Sequence, residues 1–435
     1  MYRKLSAPIS VQVEITSNCN NNCIYCYNHW REYGKSLSTT LSTENLNFIC
    51  EQLVIHQVFT VTITGGEPLL FWECLPEAIE KLEAANVGVS LNSNLTLLTP
   101  KIARALKASG LKTILTSILS NDEKIHDQLS NRTGAWEQTV QGIETAIAQG
   151  FNVSANMVLL KQNHKHIYST AAFLKSLGVQ SFSATKASPS LNSRNFDELR
   201  LNTEELRESL SVLETIKQDL SMSVDILECY PLCLLADLNR FSHFARRGCT
   251  AGITGCTIGA DGDVRPCSHA DLTYGNIFQT KLSDIFGAMD DWRDGKYVPK
   301  DCRQCSYFRM CSGGCRMEAK YLGDICGKDP YMTSKQEITP KSQSFNQPSA
   351  LSQNQRYFLQ PDLRWRVEEF GAVIGTNASS PLLINDDGLK IIRSLPRSGF
   401  TSAEIVQEND PNRENIERFL TTLLRTKFIV PVKVQ

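Results

Sequence analysis

The sequence predicts an α/β protein: a parallel sheet with helices outside it, curved or closed, followed by a cysteine-rich region and a small winged-helix-like domain. Three observations carry this. Between Val11 and about Met222, six short β-rich runs alternate with helix-length segments, and six βα units in a row imply parallel strands. From Gly248 to Cys326 the texture changes to Gly, Cys and turn residues, which leaves little room for long helices. No cysteine follows Cys326, and the stretch from Ser334 to Gln355 is rich in Ser, Gln, Pro and Asn, as flexible linkers are.

The six strands are predicted at 11–15 (VQVEI), 61–64 (VTIT), 87–92 (VGVSLN), 112–117 (KTILTS), 152–159 (NVSANMVL) and 179–184 (VQSFSA). Helix-length segments follow each; one opens at Thr99 with Pro100 at the first helical position, where a missing N–H does no harm. Beyond the linker, Leu363, Trp365 and Val367 alternate with Arg364, Arg366 and Glu368, the period of two of a half-buried strand. A helix is expected near Asp386. A second opens with Thr401 and Glu404 spaced as a capping box, and a third carries Ile416, Phe419, Leu420, Leu423 and Leu424 on one face. The run FIVPV closes the chain as a strand. The resulting domain boundaries are 9–228, 229–332, a linker over 333–356, and 357–435.

Composition excludes several function classes. Lys plus Arg number 45 and Asp plus Glu 46 among 435 residues, with no long run of one sign, so neither nucleic acid nor an anionic membrane surface is an expected partner. The N-terminal stretch lacks the apolar core of a signal peptide, and no apolar run reaches about 18 residues. A cytoplasmic location is therefore expected. Fifteen cysteines in a chain of this length point to metal binding rather than to a disulfide scaffold.

Directly after the first strand, TSNCNNNCIYCYN places Cys19, Cys23 and Cys26 in a CxxxCxxC spacing. A cubane 4Fe-4S cluster normally takes four Cys ligands, so three leave one iron open to an outside ligand. The loop lies at the C-terminal end of its strand, where βα-barrel active sites assemble. Read alone, the triad also suits zinc. The second strand ends in TITGGEPLL, with Gly65, Gly66, Glu67 and Pro68. Glycines there let the backbone approach a ligand closely, and a carboxylate suits an ammonium group.

These two motifs, with Tyr25 just before the last cysteine, resemble the radical S-adenosylmethionine (SAM) superfamily. The resemblance implies a partial (β/α)6 TIM-like barrel in which SAM chelates the open iron. Reduction then splits SAM into methionine and a 5'-deoxyadenosyl radical that abstracts hydrogen from a substrate. By the same resemblance Tyr25 packs beside the adenine, and the GGEP residues Gly65 to Pro68 meet the methionine end of SAM. The run SLNSN, with Asn92 and Asn94, is similar to the family's ribose-contacting segment. The stretch TSILSNDEKIHDQLSNRTGAW resembles the family's SLDG, HD and Arg pattern, with Ser117, His126, Asp127 and Arg132 matching and Leu119 replacing Asp. Ser117 and Arg132 are taken as SAM contacts, whereas a helix-start role suffices for His126 and Asp127.

A second cysteine field runs Cys249, Cys256, Cys267, Cys302, Cys305, Cys311, Cys315 and Cys326. It resembles the SPASM domain, whose core spacing CxxCxxxxxCxxxC is met by Cys302 to Cys315. The resemblance implies two auxiliary 4Fe-4S clusters, one on Cys249, Cys256, Cys267 and Cys315 and one on Cys302, Cys305, Cys311 and Cys326, giving three clusters in all. Spacing alone does not choose this pairing. Cys50, Cys74, Cys229 and Cys233 fit no ligand spacing that closes a site and are expected to be buried structural thiols. His269 and Asp271 are candidate catalytic proton acceptors, since related enzymes place an Asp beside Cys267, where this chain has Ser268.

The C-terminal segment resembles precursor-recognition domains of enzymes that modify ribosomally made peptides. An exposed strand edge and a helix groove would let a leader peptide add as an extra strand. The expected function is thus a radical SAM peptide maturase, served by an electron donor such as ferredoxin or flavodoxin. Oxidation of a protein Cys or Ser, as in sulfatase maturation, is the alternative enzyme, and a zinc-stabilised DNA-binding regulator the alternative of another class.

Overall fold

A computed structural model describes residues 2–28, 30, 38–190, 196–333, 351–352, 355–377, 379–406 and 412–432. The chain divides into one compact unit built mainly from residues 1–341 and a second built mainly from 342–435. Apart from residues 351, 352 and 355, the Ser334 to Gln355 stretch lies outside the described residues.

The larger unit is organised on one sheet. Its strands are β1 (Ser10–Glu14), β2 (Thr60–Thr64), β3 (Gly88–Asn92), β4 (Thr113–Ser117), β5 (Asn152–Leu159), β6 (Ser181–Lys186), β7 (Ser223–Asp225), β8 (Gly255–Ile258) and β9 (Val264–Arg265). Their spatial order is β7-β6-β5-β4-β3-β2-β1-β8-β9. Pairing is parallel at β1–β2 and at every junction from β3 to β7. Six strands stand where the sequence places them, shifted by a residue or two. The seventh, only three residues long, was not expected.

Alternation along these strands separates two faces. Val11, Val13, Val61, Ile63, Val89, Leu91 and Ile114 are buried in the apolar layer expected beneath covering helices. The intervening residues are mostly polar, and Gln12, Asn92, Ser117, Asn156 and Thr185, from β1 to β6, line a single cavity. Six consecutive strands share one cavity because the sheet curls around it. With β7 and β9 at its ends the sheet remains open, a partial barrel.

The helices between strands begin where their sequences supply caps. Ser42 caps Thr43–Ile55, Thr99 caps Pro100–Ala108 with Pro100 in the first turn, and Asn202 with Glu205 forms a capping box at Thr203–Asp219. Each satisfies N–H groups that the helix itself leaves unbonded.

The cysteine-rich region belongs to the same compact unit as the barrel. Its strand β8 pairs in parallel with β1, Cys256 standing opposite Val11, and β9 returns antiparallel. The region therefore extends the sheet past β1. A buried ion pair between Glu14 on β1 and Arg265 on β9 fastens the junction.

The smaller unit has two three-stranded antiparallel sheets. One is built from β10 (Arg356–Leu359), β14 (Phe400–Thr401) and β15 (Ile429–Pro431), the other from β11 (Arg364–Glu368), β12 (Gly371–Gly375) and β13 (Leu382–Ile384). Helices span Asp386–Ser394, Ser402–Ile405 and Arg413–Arg425, the second opened by the Thr401–Glu404 capping box. Phe400, Leu420, Leu423, Phe428 and Ile429 are fully buried in its core. One expectation is inverted: on β11, Arg366 and Glu368 point inward and Val367 is 57% exposed. The pair survives burial because Arg366 Nε donates to Glu368 Oε1 at 2.8 Å, meeting the requirement that buried charge be paired.

Candidate active site

The cavity of the larger unit, about 300 Å³, opens at the C-terminal ends of the strands and collects most of the residues that the sequence singles out. Its volume sits at the low end of the range for small-molecule pockets. Cys19, Cys23, Tyr25, Cys26, Gly65, Gly66, Glu67, Asn92, Asn94, Ser117 and His269 all line it.

The cysteine loop is held from several sides through its backbone and asparagines. Gly66 N–H donates to Thr16 O at 2.7 Å and Glu67 N–H to Asn18 O at 2.8 Å, tying the loop to the end of β2. Asn22 N–H and Ile24 N–H donate to Ser130 O and Leu129 O at 3.1 and 3.0 Å, tying it to the end of helix Glu123–Ser130. Asn94 Nδ2 donates to Asn20 Oδ1 at 2.9 Å, and Arg132 Nη1 to Asn21 Oδ1 at 3.2 Å. These fixed points hold the loop so that Cys19, Cys23 and Cys26 line the cavity.

The two glycines have a reason beyond ligand approach. A Cβ on Gly66 would lie 1.9 Å from Asn18 O, and one on Gly65, whose φ is +133°, would lie 2.5 Å from Thr16 O. Only hydrogen fits between β2's end and the cysteine loop. Glu67 is likewise engaged by the chain: it accepts from Ser93 Oγ at 2.7 Å, Asn94 N–H at 2.8 Å and Leu69 N–H at 2.9 Å. Burial pushes its carboxyl above the ordinary range, against those three donors. Glu67 thus couples the ends of β2 and β3 while one face meets the cavity. Pro68 is buried at the start of the turn that follows.

Of the other predicted residues, His126 also lines the cavity, whereas Arg132, Asp127 and Asp271 do not. Arg132 does not line the cavity; besides Asn21 it bonds Gln138 Oε1 at 2.5 Å. His126 accepts the Leu119 N–H at 3.2 Å through Nδ1, and burial lowers its pKa to about 4. Asp127 accepts from Gly134 N–H at 2.5 Å and Trp136 N–H at 2.8 Å, so it caps the next helix, Ala135–Ala148, rather than its own. Asp271 forms an ion pair with Lys320 and does not line the cavity. His269 does: its ring lies 4.0 Å from that of Tyr27, and Nε2 is 3.3 Å from Glu228 Oε1. Burial works against the imidazolium, but Glu228 and Cys315 outweigh it and the pKa is raised.

Lys186, on the cavity wall, belongs to a buried charge network that no local motif announces. Lys186 Nζ at the end of β6 donates to Glu318 Oε1 at 2.6 Å, and Arg200 Nη2 is 3.0 Å from Glu318 Oε2. Glu318 stands three residues after Cys315, so the network joins barrel and cysteine-rich region.

The later cysteines fall into two groups. The Cys229 thiol lies close enough to those of Cys249 and Cys315 to interact with both, and Cys267 lies close enough to Cys315 to feel its charge. Glu228, His269 and Cys315 place ligand atoms within 4.8 Å of one another. Cys233, Cys302, Cys305 and Cys311 line a second cavity of about 800 Å³. Burial pushes the Cys267 and Cys302 thiols up to about 12, and such thiols lose their proton on ligating a metal. Donor type and number fit an iron-sulfur cluster at each place, as three thiols and an open position do at the first. Two predicted ligands stand apart. Cys256 is buried within β8 with no other cysteine acting on its thiol, and Cys326 is exposed, its Sγ 3.6 Å from Lys296 O.

Comparison with known proteins agrees with this geometry. Residues 13–174 match the family model described as the radical SAM superfamily, and residues 249–306 match SPASM, an iron-sulfur cluster-binding domain. The chain is 26% identical to the AdoMet-dependent heme synthase of Methanosarcina barkeri, across 76% of this chain and 98% of that one. It is 28% identical to the mycofactocin maturase MftC of Mycolicibacterium smegmatis, across 75% and 83%. In fold it is similar to Streptococcus suis SuiB bound to precursor peptide SuiA, with a TM-score of 0.62 at 19% identity over 75% of each chain.

Proposed function

Because this chain belongs to the radical SAM superfamily and carries a SPASM iron-sulfur domain, we propose that it modifies a ribosomally made precursor peptide. The observation that carries the first half of this reading is the cysteine loop: three thiols on one cavity wall, beside glycines that admit no side chain. When bound, the cluster and SAM supply a 5'-deoxyadenosyl radical that takes a hydrogen atom from the substrate. Cys19, Cys23 and Cys26 hold that cluster. Asn92, Asn94 and Ser117 offer polar contacts to SAM's sugar and adenine, and Tyr25 packs an apolar ring there. Glu67 fixes the strand ends on which these groups stand. Of the two proposed proton acceptors, His269 is the one on the cavity wall, with Glu228 to stabilise its charged form. Asp271, held by Lys320, acts only through that neighbourhood.

The peptide half rests on the smaller unit. One of its two sheets ends on β11 and β13, each bonded on one side only among the described residues, and an open strand edge is what an extended leader needs. We read residues 357–435 as a winged-helix-like recognition domain on that ground, with 9–228 as the barrel, 229–332 as the auxiliary-cluster domain and 333–356 as linker. The names of MftC, a maturase, and SuiB, bound to a precursor peptide, support the same substrate class. The heme synthase relative favours a second reading, a small-molecule substrate. No helix among the described residues is long and apolar enough to cross a membrane.

Two assays test this. Anaerobic reconstitution with iron and sulfide, reduction and addition of SAM should yield 5'-deoxyadenosine from the wild type and none from Cys23→Ala; equal yields overturn the enzyme mechanism. A precursor peptide encoded beside the gene should bind the full chain, and deletion of 357–435 should abolish its modification while leaving SAM cleavage intact. Undiminished peptide modification after that deletion overturns leader recognition by this domain, whereas a wild type that cleaves SAM and leaves the peptide unmodified favours the small-molecule reading.

A further inference from the structure

We propose that the segment Cys229-Tyr-Pro-Leu-Cys233 gives one thiolate to each auxiliary cluster: Cys229 joins Cys249, Cys267 and Cys315, and Cys233 joins Cys302, Cys305 and Cys311. The proposal rests on the reading that the cysteine-rich region holds two such clusters. It reassigns the fourth ligand of both, replacing Cys256 and Cys326.

The geometry favours it at each end of the segment. Cys229 is 9% exposed and within hydrogen-bonding reach of two cysteines that come from distant parts of the chain, 249 and 315. Cys233 shares the second cavity with Cys302, Cys305 and Cys311, and its neighbour Leu232 donates its N–H to Cys311 Sγ at 3.3 Å. N–H donation to a ligating sulfur is a usual feature of iron-sulfur sites and one of the ways a protein sets their potential. The segment between is fixed. Tyr230 Oη accepts the Lys186 N–H at 2.8 Å, Pro231 holds an extended turn with φ −58° and ψ 129°, and Cys233 O accepts from Thr333 Oγ1 at 2.7 Å. The extended backbone at Pro231 separates the two thiols, so that each reaches a different group of cysteines.

The two displaced cysteines lack these surroundings. Cys256 is a sheet residue, 4% exposed and paired in register with Val11, so moving it toward Cys249 would break the β1–β8 ladder. Cys326 faces solvent and is not on the wall of the second cavity. A cluster there would be open to water on the side where Cys233 now closes it.

The test uses the full chain with Cys19, Cys23 and Cys26 all changed to Ala, so that only auxiliary clusters remain. After anaerobic reconstitution this parent should hold about eight irons per chain, four per cubane. A cubane held by three cysteines loses its unligated iron on mild oxidation and leaves a 3Fe-4S cluster with a distinct electron paramagnetic resonance signal. Cys229→Ala and Cys233→Ala should each give that signal and drop by about one iron, whereas Cys256→Ala and Cys326→Ala should match the parent. The reverse pattern would overturn the proposal, each half on its own pair of variants. Should either alanine variant fail to fold, Cys229→Ser and Cys233→Ser keep an oxygen ligand; they should retain the parent's iron with a shifted spectrum, and unshifted spectra refute the assignment. A parent that binds no iron would instead overturn the underlying cluster reading.

Discussion

Gly66→Ala is the sharpest probe of how the cysteine loop is held. Its added Cβ would stand 1.9 Å from Asn18 O, where about 3 Å is the least that real structures tolerate, so the loop must retreat by roughly 1 Å. The obstructing atom is backbone, which no rotamer change can move aside. Retreat loosens two hydrogen bonds, Gly66 N–H to Thr16 O and Glu67 N–H to Asn18 O, at about 1 kcal/mol each. Overpacking adds about 1–3 kcal/mol, for a total of roughly 3–5 kcal/mol. Asn18 adjoins Cys19, and a displacement of about 1 Å at a reacting centre can cost on the order of 100-fold in rate. Urea denaturation under anaerobic conditions should show a lower midpoint at unchanged slope, and 5'-deoxyadenosine formation should fall by about that factor. Gly287→Ala is the control: nothing lies within 4 Å of its added Cβ, and its effect should stay within about 0.5 kcal/mol. A Gly66→Ala protein with wild-type midpoint and SAM cleavage would refute the close approach of strand end and loop.

Glu14 makes stability depend on pH with a definite sign. Burial raises its pKa to about 7 against Arg265, from an ordinary 4.5, so between those values the folded chain binds the extra proton and stability falls as pH rises. The loss should approach about 3 kcal/mol and level off above pH ~7; urea midpoints at several pH values should show it, and Glu14→Gln should flatten it. In the smaller unit, Glu368→Ala removes the carboxylate beside the buried Arg366 guanidinium and should destabilise that unit by about 3 kcal/mol. The double change Arg366→Met with Glu368→Leu should recover most of this in thermal unfolding of the full chain. Asp127→Ala strips the cap from helix Ala135–Ala148 and should lower stability by about 1–2 kcal/mol, while SAM affinity, measured by titration calorimetry, stays unchanged. A loss of affinity without a loss of stability would refute this capping role and place Asp127 at the cofactor site instead.

The strands of the barrel were legible because each carries enough β-branched residues to announce itself. β7 did not, since three residues show no period. β8 and β9 were hidden for another reason: Gly255 and Cys256 within the first, and Pro266 and Cys267 directly after the second, read as turn and metal chemistry, yet backbone pairing with β1 depends on neither. On β11 the alternation itself was sound and its direction was misread. Apolar Val367 was expected inside because burying charge is costly, but Arg366 and Glu368 cancel that cost for each other, a compensation that a one-dimensional pattern does not display.

The cavity lining was readable wherever a motif ties residue type to strand end, as in CxxxCxxC and GGEP. It was not readable where the side chain is needed by its neighbours: Arg132 matches a family position, yet it positions Asn21, and Asp127 serves a helix that begins eight residues on. The same distinction governs the cysteines. Spacing counts thiols and can show that a set of four is complete, but a ligand set is closed by whichever thiol reaches the metal, and reach is a property of the fold. Cys229 and Cys233 precede the cysteine-rich pattern in sequence and follow the last barrel strand, so no local spacing joins them to it. The fold does, because β8 returns to pair with β1 and Lys186 binds both Tyr230 and Glu318, which brings the end of the barrel against Cys315. A radical enzyme needs its auxiliary clusters fixed relative to the barrel if electrons are to pass between them, and ligands drawn from the segment that directly follows the barrel's last strand would fix that relation more firmly than the exposed Cys326.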